Sequence, residues 1–454
     1  MDTYYFFYEV RNYVFQKSRN MKAAPFLLIF LFFLTACTTT EPETHPEIEI
    51  ELTEIDAGVT ETYFNVKINN CSSDETVQVI RDGNVISTFG AVNGNRVITD
   101  SLLVEKTKYK YTVQILKQDK EYSKGDSIEI TTLEPDDRPI EWEIFEFGNF
   151  NMSSFREIAI TNTDEIWAVG EVYYNDNDTS YGAAHWNGNK WELIRVPRSD
   201  YGNPRPDPRP LYLNSIFVNN ENVYVTSYAS IMKKVDTLWT ELAFVMENLD
   251  FDGQICATWA NDKGEIFCSG SGGALYYIDA ANWPNGSNWK KIQTGSKNDF
   301  LDIWGYTDPV DQKEKKLFVT GNLNIQEEVK VYKLDDNQKI EETKTGISNY
   351  NFSSIWSNKG FPIYIAGDYF AENKNGNYKF TDCEQFILSI RGTGLNDIFF
   401  VGLNAYIVHN NGKGNKRIYL GVDNLDFSQV CVTNNLIAIA GRHNSKAVVV
   451  IGRR

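Results

Sequence analysis

Ile166-Trp-Ala-Val-Gly170, Val223-Tyr-Val-Thr-Ser227, Ile266-Phe-Cys-Ser-Gly270, Leu317-Phe-Val-Thr-Gly321, Ile363-Tyr-Ile-Ala-Gly367, Ile398-Phe-Phe-Val-Gly402 and Ile437-Ala-Ile-Ala-Gly441 are seven variants of one short stretch. Most of their residues are β-branched, aromatic or small, as a strand buried on both faces requires. All but the second end in Gly. The copies recur at intervals of 35 to 57 residues. Self-similarity on that scale marks an architecture built by repetition.

A second strand precedes each copy and reads apolar-x-x-[Ile/Val/Thr]. Its members are Phe155-Arg-Glu-Ile158, Leu213-Asn-Ser-Ile216, Ile255-Cys-Ala-Thr258, Phe300-Leu-Asp-Ile303, Phe352-Ser-Ser-Ile355, Ile387-Leu-Ser-Ile390 and Phe427-Ser-Gln-Val430. Two more strands follow most copies, most clearly in His185-Trp-Asn-Gly-Asn-Lys-Trp191-Glu-Leu-Ile194. Trp239-Thr-Glu-Leu242 and Trp289-Lys-Lys-Ile292 repeat its last strand. Four strands in about 45 residues is the period of a β-propeller blade, and seven copies fill a ring over 140–454. The seventh repeat stops at its third strand, Lys446-Ala-Val-Val-Val-Ile451. Glu141-Trp-Glu-Ile-Phe-Glu-Phe147 lies before the first repeat and has the character of a fourth strand. It is expected to complete the seventh blade and remove an exposed sheet edge. The repeat resembles those of kelch-like, sialidase-type and two-component-regulator propellers, which share the apolar strand ending in Gly and a later Trp. Ser-x-Asp-x-Gly-x-x-Trp boxes, the marker of the sialidase type, are absent.

Residues 48–134 alternate with period two in Thr62-Tyr-Phe-Asn-Val-Lys-Ile68 and Thr76-Val-Gln-Val-Ile-Arg81. Asp82-Gly83-Asn84 is the chemistry of a tight hairpin. Leu103-x-x-x-Thr107-x-Tyr109-x-Tyr111-x-Val113 and Ser127-Ile-Glu-Ile-Thr-Thr132 follow. This spacing resembles a fibronectin type III domain. The resemblance makes Tyr109 the corner tyrosine and implies an all-β chain: a fibronectin III-like sandwich followed by a seven-bladed propeller. Glu105 replaces the family's usual Pro, and no Trp occurs in the early strand.

At the N-terminal end, Phe26-Leu-Leu-Ile-Phe-Leu-Phe-Phe-Leu34 is too short to span a bilayer comfortably. Lys22 before it and Leu34-Thr-Ala-Cys37 after it describe a secretory signal over 1–36. Met21 reads as its start. The Leu-x-Ala-Cys ending resembles the lipobox of bacterial lipoproteins, which implies acylation at Cys37 and a place in the cell envelope, at the outer membrane. Residues 37–47 then form the lipidated Cys and a polar tether.

The chain has 454 residues, 44 basic and 61 acidic, for a formal net charge of −17. That balance excludes a broad nucleic-acid footprint and a polybasic lipid-binding patch. One local exception is Pro197–Tyr212, which carries Arg198, Arg205 and Arg209.

Propeller ligands usually meet the axis on the face that carries the loops into the first strands. Asn151, Asp250, Asp299, Asn351 and Asp426 sit in those loops. They offer a ring of oxygens for hydroxyls or a cation, or they are Asx turns that start each strand. Arg156, Glu157, Asn214 and Asp302 are candidates for the channel mouth, where they bind a polar ligand or pair with one another. Trp259, Trp304 and Trp356, with Phe217, align as a row; blade-to-blade packing is the simpler account, and carbohydrate or peptide stacking the alternative. Two long loops of the first repeat carry Tyr173, Tyr174, Tyr181 and Tyr201 as stacking candidates.

No catalytic set, metal motif or cofactor loop is recognisable. His185 and His409 precede Asn-Gly and Asn-Asn-Gly turns. Cys268-Ser-Gly-Ser-Gly-Gly273 opens no helix pattern, and Cys256 and Cys268 fall on adjacent strands in a register the sequence leaves open. The expected function is non-catalytic binding of a glycan or an envelope protein. The alternatives are an envelope hydrolase or lyase using Glu157 and Asp302, and a scaffold subunit of an outer-membrane complex.

Overall fold

The computed structural model describes residues 47–454 apart from 119, 151, 162–163, 175–179, 197–198, 201–202, 205–211, 220–221, 228–229, 237, 245–253, 262, 280–289, 322–327 and 375–376. The expected signal segment over 1–36, Cys37 and Tyr201 lie outside the described residues, as do Asn151 and Asp250. No helix among the described residues is long and apolar enough to cross a membrane. Residues 48–454 form one compact unit, and it is all-β.

Two sheets come first. Glu49–Ala57, Glu61–Asn69 and Gly94–Ser101 make one; Asn84–Gly90, Glu75–Arg81, Lys108–Lys117 and Lys120–Thr131 make the other. The alternation seen in sequence places Phe64, Val66, Ile68, Val77, Val79, Tyr111, Val113 and Ile115 between them. Asp82 and Gly83 both take positive φ, 46° and 86°, and Arg81 pairs with Asn84 across a two-residue hairpin. The Tyr109 hydroxyl accepts the Val104 N–H at 2.9 Å, which ties the strand to the loop before it. Tyr111 Oη donates to Asp100 at 2.8 Å, and Arg81 holds both oxygens of Asp100.

Seven four-stranded antiparallel sheets follow among the described residues. Their first strands are Ser154–Ile160, Ser215–Asn219, Ile255–Ala260, Asp299–Thr307, Phe352–Trp356, Ile387–Gly394 and Leu425–Val432. In six sheets all four strands are consecutive in sequence; in the seventh, Glu141–Phe147 supplies the outer strand by pairing with Lys446–Arg453. Each first strand packs beside the next, and that of the seventh sheet lies beside that of the first. A separate apolar cluster fills each gap between neighbouring sheets, including the gap between the seventh and the first.

The recurring glycine has a local cause. In six of the seven sheets the pairing of first and second strands skips one residue: Arg156, Cys256, Leu301, Ser353, Leu388 or Ser428. Such a bulge kinks the strand toward its partner. In five of these sheets the preceding carbonyl oxygen ends up 2.0–2.2 Å from where a Cβ on Gly170, Gly270, Gly367, Gly402 or Gly441 would sit. The second sheet has Ser227 in place of the glycine, and its pairing runs without a skip.

The two-sheet module rests on the turns that join first to second and third to fourth strands in the fifth and sixth sheets. Asn358 Nδ2 donates to Asp56 at 2.8 Å, and Lys374 lies 2.6 Å from Glu61. Asn396 donates to the Glu134 carbonyl at 2.8 Å, and Asn411 to Asp137 at 2.8 Å. Tyr63 packs edge-on against Phe361 at 5.2 Å.

Candidate functional site

In each repeat the first-strand positions count from the opening apolar residue, and five of them bear on the axis. The third-position side chains take up the fourth-position N–H of the next sheet. Glu157 accepts Ile216 N–H at 2.9 Å, and Asp302 accepts Ile355 N–H at 3.0 Å. Ser354 accepts Ile390 N–H at 3.1 Å, and Ser389 accepts Val430 N–H at 3.3 Å. Gln429 donates to Glu157 at 3.3 Å, which carries the chain of contacts from the seventh sheet to the first.

Three of the second-position side chains do the same for carbonyls. Asn214 donates to the Ile255 carbonyl at 3.0 Å, Ser353 to Ile387 at 2.7 Å and Ser428 to Phe155 at 2.7 Å. Ser353 and Ser428 are the residues skipped by the bulge, so their side chains are free to reach sideways. These two girdles stitch the inner strands together, at about 1 kcal/mol per hydrogen bond.

Asp302 is the most heavily committed group. Its Oδ1 accepts from Arg391 Nη2 at 2.7 Å and from Ile303 N–H at 2.9 Å. Its Oδ2 accepts from Ser354 Oγ at 2.6 Å, from Ile355 N–H at 3.0 Å and from Arg391 Nη1 at 2.9 Å. A bidentate, buried carboxylate of this kind has no lone pair left for proton transfer. Glu157 is different in charge though not in role. Burial pushes its carboxyl up to about 7, against the hydrogen bonds from Ser215, Ile216 and Gln429, and Asp302 adds repulsion.

In five of the seven sheets the fifth position faces open space. Phe217, Trp259, Trp304, Arg391 and Cys431 occupy it, and all five are partly exposed. They line a cavity of about 240 Å³ ringed by the first strands of six of the seven sheets. Arg391 lies 5.0 Å from the Trp304 ring centroid, and Trp304 Nε1 donates to the Ser357 carbonyl at 2.7 Å. The cavity lies on the hairpin side of the girdles, the side on which the two-sheet module rests. Glu157 and Gln429 form part of its wall.

The residues singled out in sequence are therefore distributed differently from the expectation. Glu157, Asn214 and Asp302 serve the girdles. Arg156 is exposed and stacks over Tyr212 at 4.5 Å. Asp299 sits at the opposite, entry end and accepts the Gly272 N–H of the preceding sheet at 2.8 Å. Asp426 likewise accepts Asn404 N–H at 3.3 Å. Neither makes an Asx turn on its own backbone in these contacts; each ties two sheets together. Tyr173 bonds Glu171 through its hydroxyl, and Tyr174 packs against Tyr181 at 6.2 Å; neither lines the cavity. Of the aromatic row, Trp356 is buried core, 1% exposed. Phe217, Trp259 and Trp304 do pack between sheets, but they also present a face to the cavity, which the packing account alone misses. Cys268 stands opposite Thr258 and Cys256 is the skipped residue of its strand, so the two thiols remain free.

Asp136, Asp397 and His409 are the one buried group among the described residues with metal-ligand spacing. Two guanidiniums already occupy that neighbourhood. Arg454 donates to Asp397 at 2.8 Å, and Arg138 Nε donates to Asp136 at 2.9 Å. Burial pushes Asp397 up, but hydrogen bonds from His409, Arg454 and Thr393 outweigh it and hold the carboxyl down at about 2. The donor set suits an ion-pair clamp rather than a cation.

No family model matches the chain, and no curated protein matches it by sequence. Solved structures do. Over 70% of this chain and 98% of the other, the fold is similar to that of YCF48 bound to D1 peptide, with a TM-score of 0.51 and 12% identity. Over 69% of this chain and 99% of the other, it is similar to virginiamycin B lyase from Staphylococcus aureus, with a TM-score of 0.51 and 12% identity. Both are β-propeller proteins, and the likeness establishes a propeller-type fold.

Proposed function

We propose that this chain is a non-catalytic lipoprotein of the bacterial cell envelope, anchored through Cys37, that displays a propeller for binding a protein or a glycan. In this reading 48–134 is a fibronectin III-like module, and its Tyr109–Val104 contact is the corner tyrosine. Residues 140–454 form seven blades. Their cyclic packing and the outer strand Glu141–Phe147 support that count.

The observation that carries the reading is the commitment of the axial carboxylates. Asp302 is locked by Arg391 and backbone N–H groups, and Glu157 by Ile216 and Gln429. Among the described residues no axial carboxylate pair is left to act as acid and base, whereas the partly aromatic cavity beside them is suited to burying a ligand side chain or sugar face. The peptide bound to YCF48 favours protein over glycan. Virginiamycin B lyase keeps the lyase reading as the second one; a scaffold subunit of an outer-membrane complex is a form of the first.

Pull-down from envelope extract beside a glycan array tests the proposal. Wild type is expected to retain a stoichiometric partner or a defined glycan, and Trp259→Leu to lose it at least tenfold while staying folded. Cys37→Ser is expected to move the chain from the membrane to the soluble fraction. Polysaccharide turnover by wild type that disappears in Glu157→Gln would replace this reading with the enzyme.

A further inference from the structure

At the entry end of the fifth sheet, away from the axial cavity, an open cleft of about 470 Å³ is bordered by Tyr350, Asp368, Tyr369 and Asp382. Tyr350 meets Tyr369 edge-on at 4.5 Å, and Tyr369 meets Phe380 edge-on at 6.4 Å. Tyr350 is 37% and Phe380 39% exposed, which is unusual for large aromatics with no covering element. Asp382 stands directly across from Tyr369 in the strand ladder. Asp368 Oδ2 accepts the Asn351 N–H at 2.7 Å. Among the described residues neither aspartate is paired with a cation.

We propose that this cleft binds the guanidinium or ammonium side chain of a basic segment on a protein partner. Aromatic rings present negative faces to a cation, and the two carboxylates supply the opposite charge. The rings stand nearly perpendicular to one another, so they offer no coplanar platform on which a sugar ring lies flat. They form a notch instead. The notch is too open to enclose a free small ion, so the remaining wall has to come from the surface that carries the cation. The Tyr369 hydroxyl is pushed up to about 12, first by Tyr350 and further by Asp382 and Asp368, consistent with a negative local field. The chain's surplus of acids steers such a partner inward.

The site is independent of the axial cavity, and its test uses a defined probe. Calorimetric titration of the mature chain with a tetra-arginine peptide amide, at low and at physiological salt, gives the reference. Asp368→Asn/Asp382→Asn is expected to raise Kd at least tenfold, and Phe380→Ala at least threefold. Asp336→Asn/Asp423→Asn removes the same charge elsewhere and is expected to change Kd less than twofold. Equal losses in the two charge pairs would mean diffuse attraction by an acidic surface and would overturn the site. So would the absence of binding in wild type, or a chito-oligosaccharide that binds in its place and depends on Phe380.

Discussion

Glu157 shows most directly how a residue's position decides its role. Burial raises its carboxyl from an ordinary 4.5 to about 7. Between those values the folded chain holds a proton that the unfolded chain has released, so this group's contribution to stability falls as pH rises through that window. Glu157→Gln is expected to flatten that part of the pH–stability profile, with a gain of at most about 3 kcal/mol above pH 7. Denaturant midpoints of both proteins from pH 4 to 8 check this; parallel curves would show that Glu157 is ordinary. Asp397 has the opposite sign. Held down at about 2, it supports the fold above the usual carboxylate range and loses that support as pH falls toward 2. Residue type alone said that Glu157 and Asp302 were charged and near the axis. It did not say that each accepts a neighbouring strand's N–H, because the partner lies 59 residues away in one case and 53 in the other.

At the scale of the element, the repeat was legible because its period, its buried strands and its turn residues are all local signals. The outer strand Glu141–Phe147 was legible for the same reason. The bulge was not. It inserts no distinctive residue, since Arg156, Cys256, Leu301, Ser353, Leu388 and Ser428 share no chemistry. Its trace in the sequence is indirect: the glycine that tolerates the carbonyl pressed against it. The aromatic row illustrates a second limit. Alignment placed Phe217, Trp259 and Trp304 correctly on one strand position, yet only the three-dimensional ring shows that this position borders a cavity. Gly367→Ala and Gly402→Ala each drive a Cβ to 2.0 Å from a carbonyl oxygen. Each is expected to cost about 3 kcal/mol or more. Ser227→Gly, in the sheet that lacks the bulge, is expected to cost under about 1 kcal/mol. Thermal unfolding of the three variants separates the cases; equal costs would detach the glycine from the bulge.

For the whole molecule, repetition lets the same side-chain positions do one job in several sheets. Three second positions and four third positions spend their polar atoms between neighbours, and the fifth position is left in five sheets to meet whatever enters. Ends far apart in sequence are joined by the Glu141–Phe147 strand and by Ser428 and Gln429 reaching the first sheet. The two-sheet module is bound to the hairpin face by side chains from the fifth and sixth sheets, so it holds a fixed place beside the cavity rather than acting as a loose spacer. The central claim is that ligand enters on this face and touches the fifth-position aromatics. A photo-crosslinking phenylalanine placed at Phe217, and in a separate protein at Tyr174 on the first sheet's outer loop, tests it in intact cells. The account predicts a discrete higher-mass adduct from position 217 and none from 174. An adduct from 174 alone would contradict it.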